Sequence, residues 1–219
     1  MCRDKPTCTE LPSDRAAWDL GCPLPTPEWW ASQVDILAQA FNEFRGGRRE
    51  ECLETLARLR NDEMRDWYIE HGQMSGTHRA RALSVSPPTK LPKDELDGRR
   101  SPRKFQKEVF IRDGYRCRYC GNRVVCPDTL KRFIRDLSHP HLKKGDTNLS
   151  TSGIIHAVWP MADHVVPWSY GGRTAPENLV TSCFPCNYGK ANFTIEQLGI
   201  ESPFRREPMV DEWTGLVEI

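Results

Sequence analysis

Two short motifs hold most of the reactive side chains. Cys117-Arg118-Tyr119-Cys120 and Cys183-Phe184-Pro185-Cys186 each carry two thiols separated by two residues, the spacing at which one tight turn presents both sulfurs to a single ion. Either pair alone would also suit a redox dithiol. Together they complete the four-sulfur tetrahedral shell of structural zinc, and soft thiolate donors select zinc over magnesium. Such a site contributes about 10–16 kcal/mol of apparent binding energy, so the ion is expected to join elements that residues 121–182 separate along the chain. Cys126 offers a substitute ligand but is expected to be a bystander. The nine cysteines are an odd number, and they follow an N-terminus with no apolar run of signal-peptide length, which argues against a disulfide framework.

Between and around the pairs lie Ala162-Asp163-His164-Val165-Val166-Pro167, then Gly171-Gly172, then Glu177-Asn178-Leu179-Val180, and finally Cys186-Asn187-Tyr188-Gly189-Lys190. Hydrolysis of a phosphodiester needs an activated water, a cation to neutralise developing charge, and in-line geometry. A histidine ordinarily titrates near about 6.5, so His164 is the residue able to take a proton from water at neutral pH. Asp163 and the side-chain carbonyl of Asn187 offer hard oxygens, which suit Mg²⁺ or Mn²⁺ better than a second zinc. Adjacent residues on a regular strand point to opposite faces, so Asp163 and His164 can share a site only if the strand does not stay regular.

In this order and near this spacing, and with the lead-in Val109-Phe110-Ile111-Arg112-Asp113-Gly114-Tyr115-Arg116-Cys117, the motifs resemble the HNH endonucleases. This family is also called the ββα-metal or His-Me finger nucleases, and the version resembled is the one whose active site is braced by a four-cysteine zinc knuckle. The resemblance covers about residues 103 to 195. It implies that the strand ends at the Asp-His pair, so that both side chains reach one cleft. It implies that Asn178 ties the loop from Pro167 to Pro176 and helps orient His164, that Gly171 and Gly172 supply the turn, and that Lys190 and Arg173 contact phosphate. The implied products are a 5′-phosphate and a 3′-hydroxyl. Two departures stand out: Asn187 occupies a position that is often histidine in the family, and a long stretch from Asn122 to Met161 separates the first cysteine pair from the Asp-His motif.

Charge is distributed unevenly over the elements that must position these groups. The net charge is +1, yet residues 98–145 carry 14 Lys and Arg against 4 Asp and Glu, for +10, while residues 1–97 total −4 and residues 146–219 total −5. A basic block beside the cysteine motifs points to a polyanion, because clustered cations displace phosphate counterions. Lys131, Arg132, Arg135, Lys143 and Lys144 have the composition to grip nucleic-acid backbone, and Leu130, Phe133, Ile134 and Leu137 fit a short helix among them. His156 is expected on a strand over Ile154–Val158 as a partly buried structural residue. Trp159, Trp168 and Tyr170 can stack on a base, with packing as the default role.

Upstream, Thr26, Pro27 and Glu28 form a helix start. Trp30, Val34, Leu37, Phe41 and Phe44 then recur at spacings of four, three, four and three, which defines one apolar face. Gly46 and Gly47 end that helix, and a second is expected over Arg49–His71 with Cys52, Leu56, Leu59, Met64 and Trp67 near one face and Gly72 as its stop. Residues 84–103, with Ser84, Ser86, Pro87, Pro88, Pro92 and Pro102, form a linker.

The expected architecture is therefore α+β: a helical hairpin region over residues 1–97, an HNH core with zinc knuckle over 98–200 carrying the basic insertion at about 122–161, and a tail over 201–219. The expected activity is metal-dependent cleavage of double-stranded DNA in the cytoplasm by His164, Asp163, Asn178 and Asn187, with no membrane partner. A double-strand break would need two copies or two visits, which leaves a homodimer or larger assembly open. Two rival readings remain at this point. One is a catalytically silent zinc module that binds nucleic acid; the other is a toxin or defence effector nuclease acting on RNA or modified DNA.

Overall fold

The computed structural model describes residues 22–73, 86, 88–96 and 101–217. Cys2, Cys8, Trp18 and part of the 84–103 linker lie outside them. The fold is α+β, with a two-stranded antiparallel sheet set among helices. No helix among the described residues is long and apolar enough to cross a membrane.

Helix α1 (Trp30–Arg45) buries Trp30, Val34, Leu37 and Phe41, the face that the apolar spacing predicts. After Gly46 and Gly47 the chain enters α2 (Arg49–Ala57), which packs on α1. The expected continuous helix over Arg49–His71 is broken. A separate α3 spans Asn61–Trp67 and opens into a π-type turn over Tyr68–Gln73. Side chains cause the break: the buried Gln33 Oε1 accepts the Arg60 N–H at 2.8 Å, which diverts that amide from the helical ladder. Asn61 Nδ2 donates to the His141 carbonyl at 2.9 Å, and its Oδ1 accepts the Ile154 N–H at 3.0 Å.

Those last two bonds draw the basic insertion into the same core. After α4 (Gln106–Arg112), helix α5 (Pro127–Leu137) buries Leu130, Phe133 and Leu137. Phe133 meets the Phe41 ring edge-on at 5.3 Å. The segment expected as a strand over Ile154–Val158 is instead helix α6 (Gly153–Val158), buried throughout. A short apolar run gives no periodicity to separate a buried strand from a buried helix, and the Asn61 acceptor at the Ile154 amide supports a helical start. A first hydrophobic cluster thus joins Leu24–Tyr68 residues with Val125, Leu130, Phe133, Leu137, Leu142 and Ile154–Val158.

The second cluster surrounds the cysteine motifs. Strand β1 (Met161–His164) pairs antiparallel with β2 (Leu179–Ser182), with Asp163 opposite Val180 and His164 opposite Leu179. Helix α7 (Phe184–Lys190) follows, then the short α8 (Ile195–Leu198), closed by a Thr194/Gln197 capping box. Asp113, at the end of α4 and 1% exposed, ties α4 to this sheet. It accepts the Thr181 N–H at 2.7 Å and pairs with the Arg112 guanidinium at 2.9 Å.

Candidate active site and metal centre

Strand β1 ends at His164, and the next residues are clipped back rather than continuing the sheet. Asn178 does the clipping: its Oδ1 accepts the Val166 N–H at 2.9 Å, while its Nδ2 donates to the carbonyls of Val166 and Arg173, each at 3.0 Å. The loop closes tightly against Gly172, where an added Cβ would fall 1.8 Å from the Val166 carbonyl. Inside that loop Thr174 Oγ1 lies 2.9 Å from His164 Nε2 and fixes the imidazole.

Asp163, one residue earlier on β1, is 8% exposed. Its Oδ2 accepts a 2.7 Å hydrogen bond from the Tyr119 hydroxyl and lies 3.3 Å from Lys190 Nζ. Burial, followed by the charge of Asp163, holds the Tyr119 phenol well above its ordinary range, so it stays a protonated donor. Lys190, expected as a phosphate contact, is 1% exposed, and its ammonium also donates to the His164 carbonyl at 2.7 Å. It therefore braces the Asp-His pair from beneath.

A cleft of about 740 Å³ is lined by Asp163, His164, Asn187 and Lys190, with Pro167 and Trp168 at its wall. Ser101 and Pro102, from the end of the linker, line it too. Lys131, Arg132, Arg135, Lys143 and Lys144 do not line it, although all five are exposed. Lys131 and Arg132 border a separate groove beside α4 and α5. Arg135 pairs with Asp136 at 2.7 Å, and Lys144 Nζ sits 3.9 Å from the centre of the Trp159 ring. Arg173 is exposed on the loop that Asn178 ties. His156 is buried, stacked on Tyr68 with ring centres 4.7 Å apart.

The knuckle brings both cysteine pairs together. The sulfurs of Cys117, Cys120, Cys183 and Cys186 all lie within 4.8 Å of one another, with Cys120 and Cys183 3.6 Å apart. One pair sits in a turn closed by the Gly121 N–H on the Cys117 carbonyl at 2.8 Å. The other opens α7, where Cys183 stands at the N-cap and Asn187 N–H returns to its carbonyl at 2.9 Å. Burial pushes the Cys183 and Cys186 thiols well above the ordinary thiol range. A divalent cation reverses that effect by stabilising thiolates, so the donor set fits zinc. Cys126 lies outside this cluster, at the N-cap of α5.

Three contributors were not assigned from the sequence. Tyr119 stands inside a cysteine motif, yet spacing gives no sign that its hydroxyl crosses to Asp163. Thr174 is one of several polar loop residues. Cys22 is buried against Cys186, with sulfurs 3.3 Å apart, and reaches it from an irregular N-terminal segment. Only the three-dimensional path of the chain reveals each of these contacts.

Residues 160–193 match the family model described as HNH endonuclease, a span that holds β1, the clipped loop, β2 and α7. No curated protein and no solved structure matches the chain in the corresponding comparisons.

Proposed function

We propose that the chain is a metal-dependent endonuclease that hydrolyses phosphodiester bonds of double-stranded DNA, with His164 as general base and a Mg²⁺ or Mn²⁺ ion held by Asp163 and Asn187. One observation carries the reading: a single cleft is lined by His164, Asp163 and Asn187, while Tyr119 and Lys190 both engage the same oxygen of Asp163. That double engagement of Oδ2 leaves Oδ1 as the Asp163 oxygen that could hold the cation. The match of residues 160–193 to HNH endonucleases supports a nuclease of this type in general.

The chain's own groups then have separable tasks. Thr174 aligns the His164 ring, which takes a proton from water as the water oxygen bonds to phosphorus and the bond to the 3′-oxygen breaks. Such a base contributes about 10²- to 10⁴-fold in rate. Lys190 joins the Asp163 carboxylate to the His164 backbone, so the two residues hold one spacing. Asn178 keeps the loop folded away from the incoming strand. When bound, the divalent ion supplies positive charge to the phosphate and leaving oxygen. Arg173 and the exposed lysines and arginines of the insertion contribute sequence-independent phosphate contacts, and zinc in the knuckle fixes Tyr119 and α7 beneath the cleft.

The test is cleavage of supercoiled plasmid by the zinc-loaded chain with Mg²⁺, with Mn²⁺, with EDTA, and with His164→Ala. Nicked or linear product that requires the added ion and disappears in the variant supports the proposal. A folded, zinc-loaded chain that binds DNA and leaves it intact would sink it in favour of a silent binding module. The same assay on RNA and on modified DNA distinguishes an effector nuclease.

A further inference from the structure

The knuckle contains more sulfur than one tetrahedral ion can use. Besides the four motif cysteines, Cys22 places its Sγ 3.3 Å from Cys186 Sγ and also faces the thiols of Cys120 and Cys117. Zinc–sulfur bonds of about 2.3 Å in a tetrahedron put neighbouring sulfurs about 3.8 Å apart. The Cys22–Cys186 and Cys120–Cys183 separations are both of that order, 3.3 and 3.6 Å; Cys22 stands outside the four sulfurs that all lie within 4.8 Å of one another, yet touches one of them. Exposure separates the two candidates for the fourth position: Cys22 is buried at 3%, whereas Cys120 is the one motif cysteine that is partly exposed.

The segment carrying Cys22 is fitted against the knuckle on both sides. Two residues on, Leu24 is fully buried in the helical cluster. It rests on Gly189 of α7, where an added Cβ would stand 2.7 Å from Leu24 Cβ and 3.2 Å from the Pro23 carbonyl. Thr26 Oγ1 accepts from Asn122 Nδ2 at 3.2 Å, next to the turn that holds Cys117 and Cys120.

We propose that Cys22 is a fifth, exchangeable ligand of the knuckle, so that the ion takes its four sulfurs from Cys117, Cys183, Cys186 and either Cys120 or Cys22. The exchange is balanced: Cys22 releases its thiol proton as it binds, Cys120 takes one up as it leaves, and no electron is transferred. Two consequences follow. The partly exposed Cys120 thiol can be lost without loss of the metal, and binding through Cys22 fastens the start of the helical region to the base of the cleft.

Cobalt replacement in the full chain counts the sulfurs, because thiolate-to-Co²⁺ charge transfer reports the ligand set. Cys120→Ser and Cys22→Ser are each expected to keep one ion per chain and a four-sulfur spectrum. The double variant Cys22→Ser/Cys120→Ser is expected to fall to three sulfurs and to lose more affinity than the roughly 10- to 100-fold that follows loss of a ligand's hydrogen-bonding partner. Cys126→Ser in the Cys120→Ser background serves as the control and is expected to change nothing further. A three-sulfur spectrum in Cys120→Ser alone, equal to that of the double variant, would overturn the proposal. If Cys120→Ser does not fold, iodoacetamide treatment of the zinc form decides the matter by mass spectrometry. Zinc retained after Cys120 is alkylated supports the exchange, and zinc released in step with that alkylation refutes it.

Discussion

The helical cluster and the knuckle cluster are closed by different forces. In the first, large side chains such as Trp30, Leu37, Leu56, Met64 and Tyr68 are buried to 1% exposure or less, and aromatic rings meet edge to face across α1 and α5. Apolar area of that kind is worth roughly 25 cal/mol per Å² and needs no ligand. The second cluster rests on two strands of four residues each and helices of seven residues or fewer, elements that seldom persist alone. Four thiols stand among its buried apolar side chains, which include Val109, Phe110, Leu179 and Val180. The region with the candidate site is thus the one whose thiols could hold an ion, and the region without it closes on apolar contacts alone.

The comparison breaks most clearly on metal removal. Chelation of the knuckle ion is expected to abolish amide-exchange protection over residues 109–124 and 162–200, while Val34, Leu37 and Leu56 stay protected; the binding energy at stake is about 10–16 kcal/mol. Hydrogen exchange read by mass spectrometry checks this, and equal loss in both regions would mean that the chain is one cooperative unit. Next in size is His164→Ala. It is expected to lower plasmid cleavage by about 10²- to 10⁴-fold with zinc content and melting temperature unchanged, because the ring sits at the edge of the cleft and not in either cluster. Leu37→Ala reverses the pattern. It is expected to destabilise the helical cluster by about 2–5 kcal/mol, measured by denaturant titration, and to leave the Co²⁺ spectrum of the knuckle untouched.

Legibility from sequence follows the same divide. Each Cys-x-x-Cys acts through fixed local geometry, so its spacing predicts one turn presenting two thiols, and the resemblance to the HNH endonucleases implied a strand ending at the Asp-His pair; the four sulfurs do lie within 4.8 Å of one another and β1 ends at His164. The apolar face of α1 was equally readable from its period. What escaped were contacts made by single polar atoms over long separations. Gln33 interrupts the helix at Arg60, Asn61 caps α6, and Tyr119 crosses to Asp163; none of these leaves a pattern in composition or period. The insertion was only half legible for a related reason. Its charge is what a sequence displays, but Leu130, Phe133, Leu137 and Ile154–Val158 are what the helical cluster uses, and the lysines and arginines lie on the outer side of that packing. The buried Lys190 is the converse case: an ammonium about one turn past a cysteine motif reads as a surface charge until Asp163 and the His164 carbonyl are seen around it.

The smallest expected effect sharpens the comparison through pH. His156 is sealed in the helical cluster against Tyr68 and Phe184, and burial lowers its affinity for a proton below that of a free histidine, with the Asn148 carbonyl only partly offsetting this. The folded state therefore binds that proton less readily than the unfolded state. By linkage, the stability of the cluster is at its full value above the unfolded pKa of about 6.5 and declines as the pH falls below it. His156→Phe keeps a ring in the stack and removes the titration, so the variant's stability is expected to be flatter than the wild type's between neutral pH and mildly acidic pH. Denaturant midpoints measured across that range give the slope directly. Acid also protonates the knuckle thiolates and releases metal, so the measurement belongs in the zinc-saturated chain with zinc content followed in parallel. A pH dependence that survives His156→Phe while the ion stays bound would move its origin out of the helical cluster.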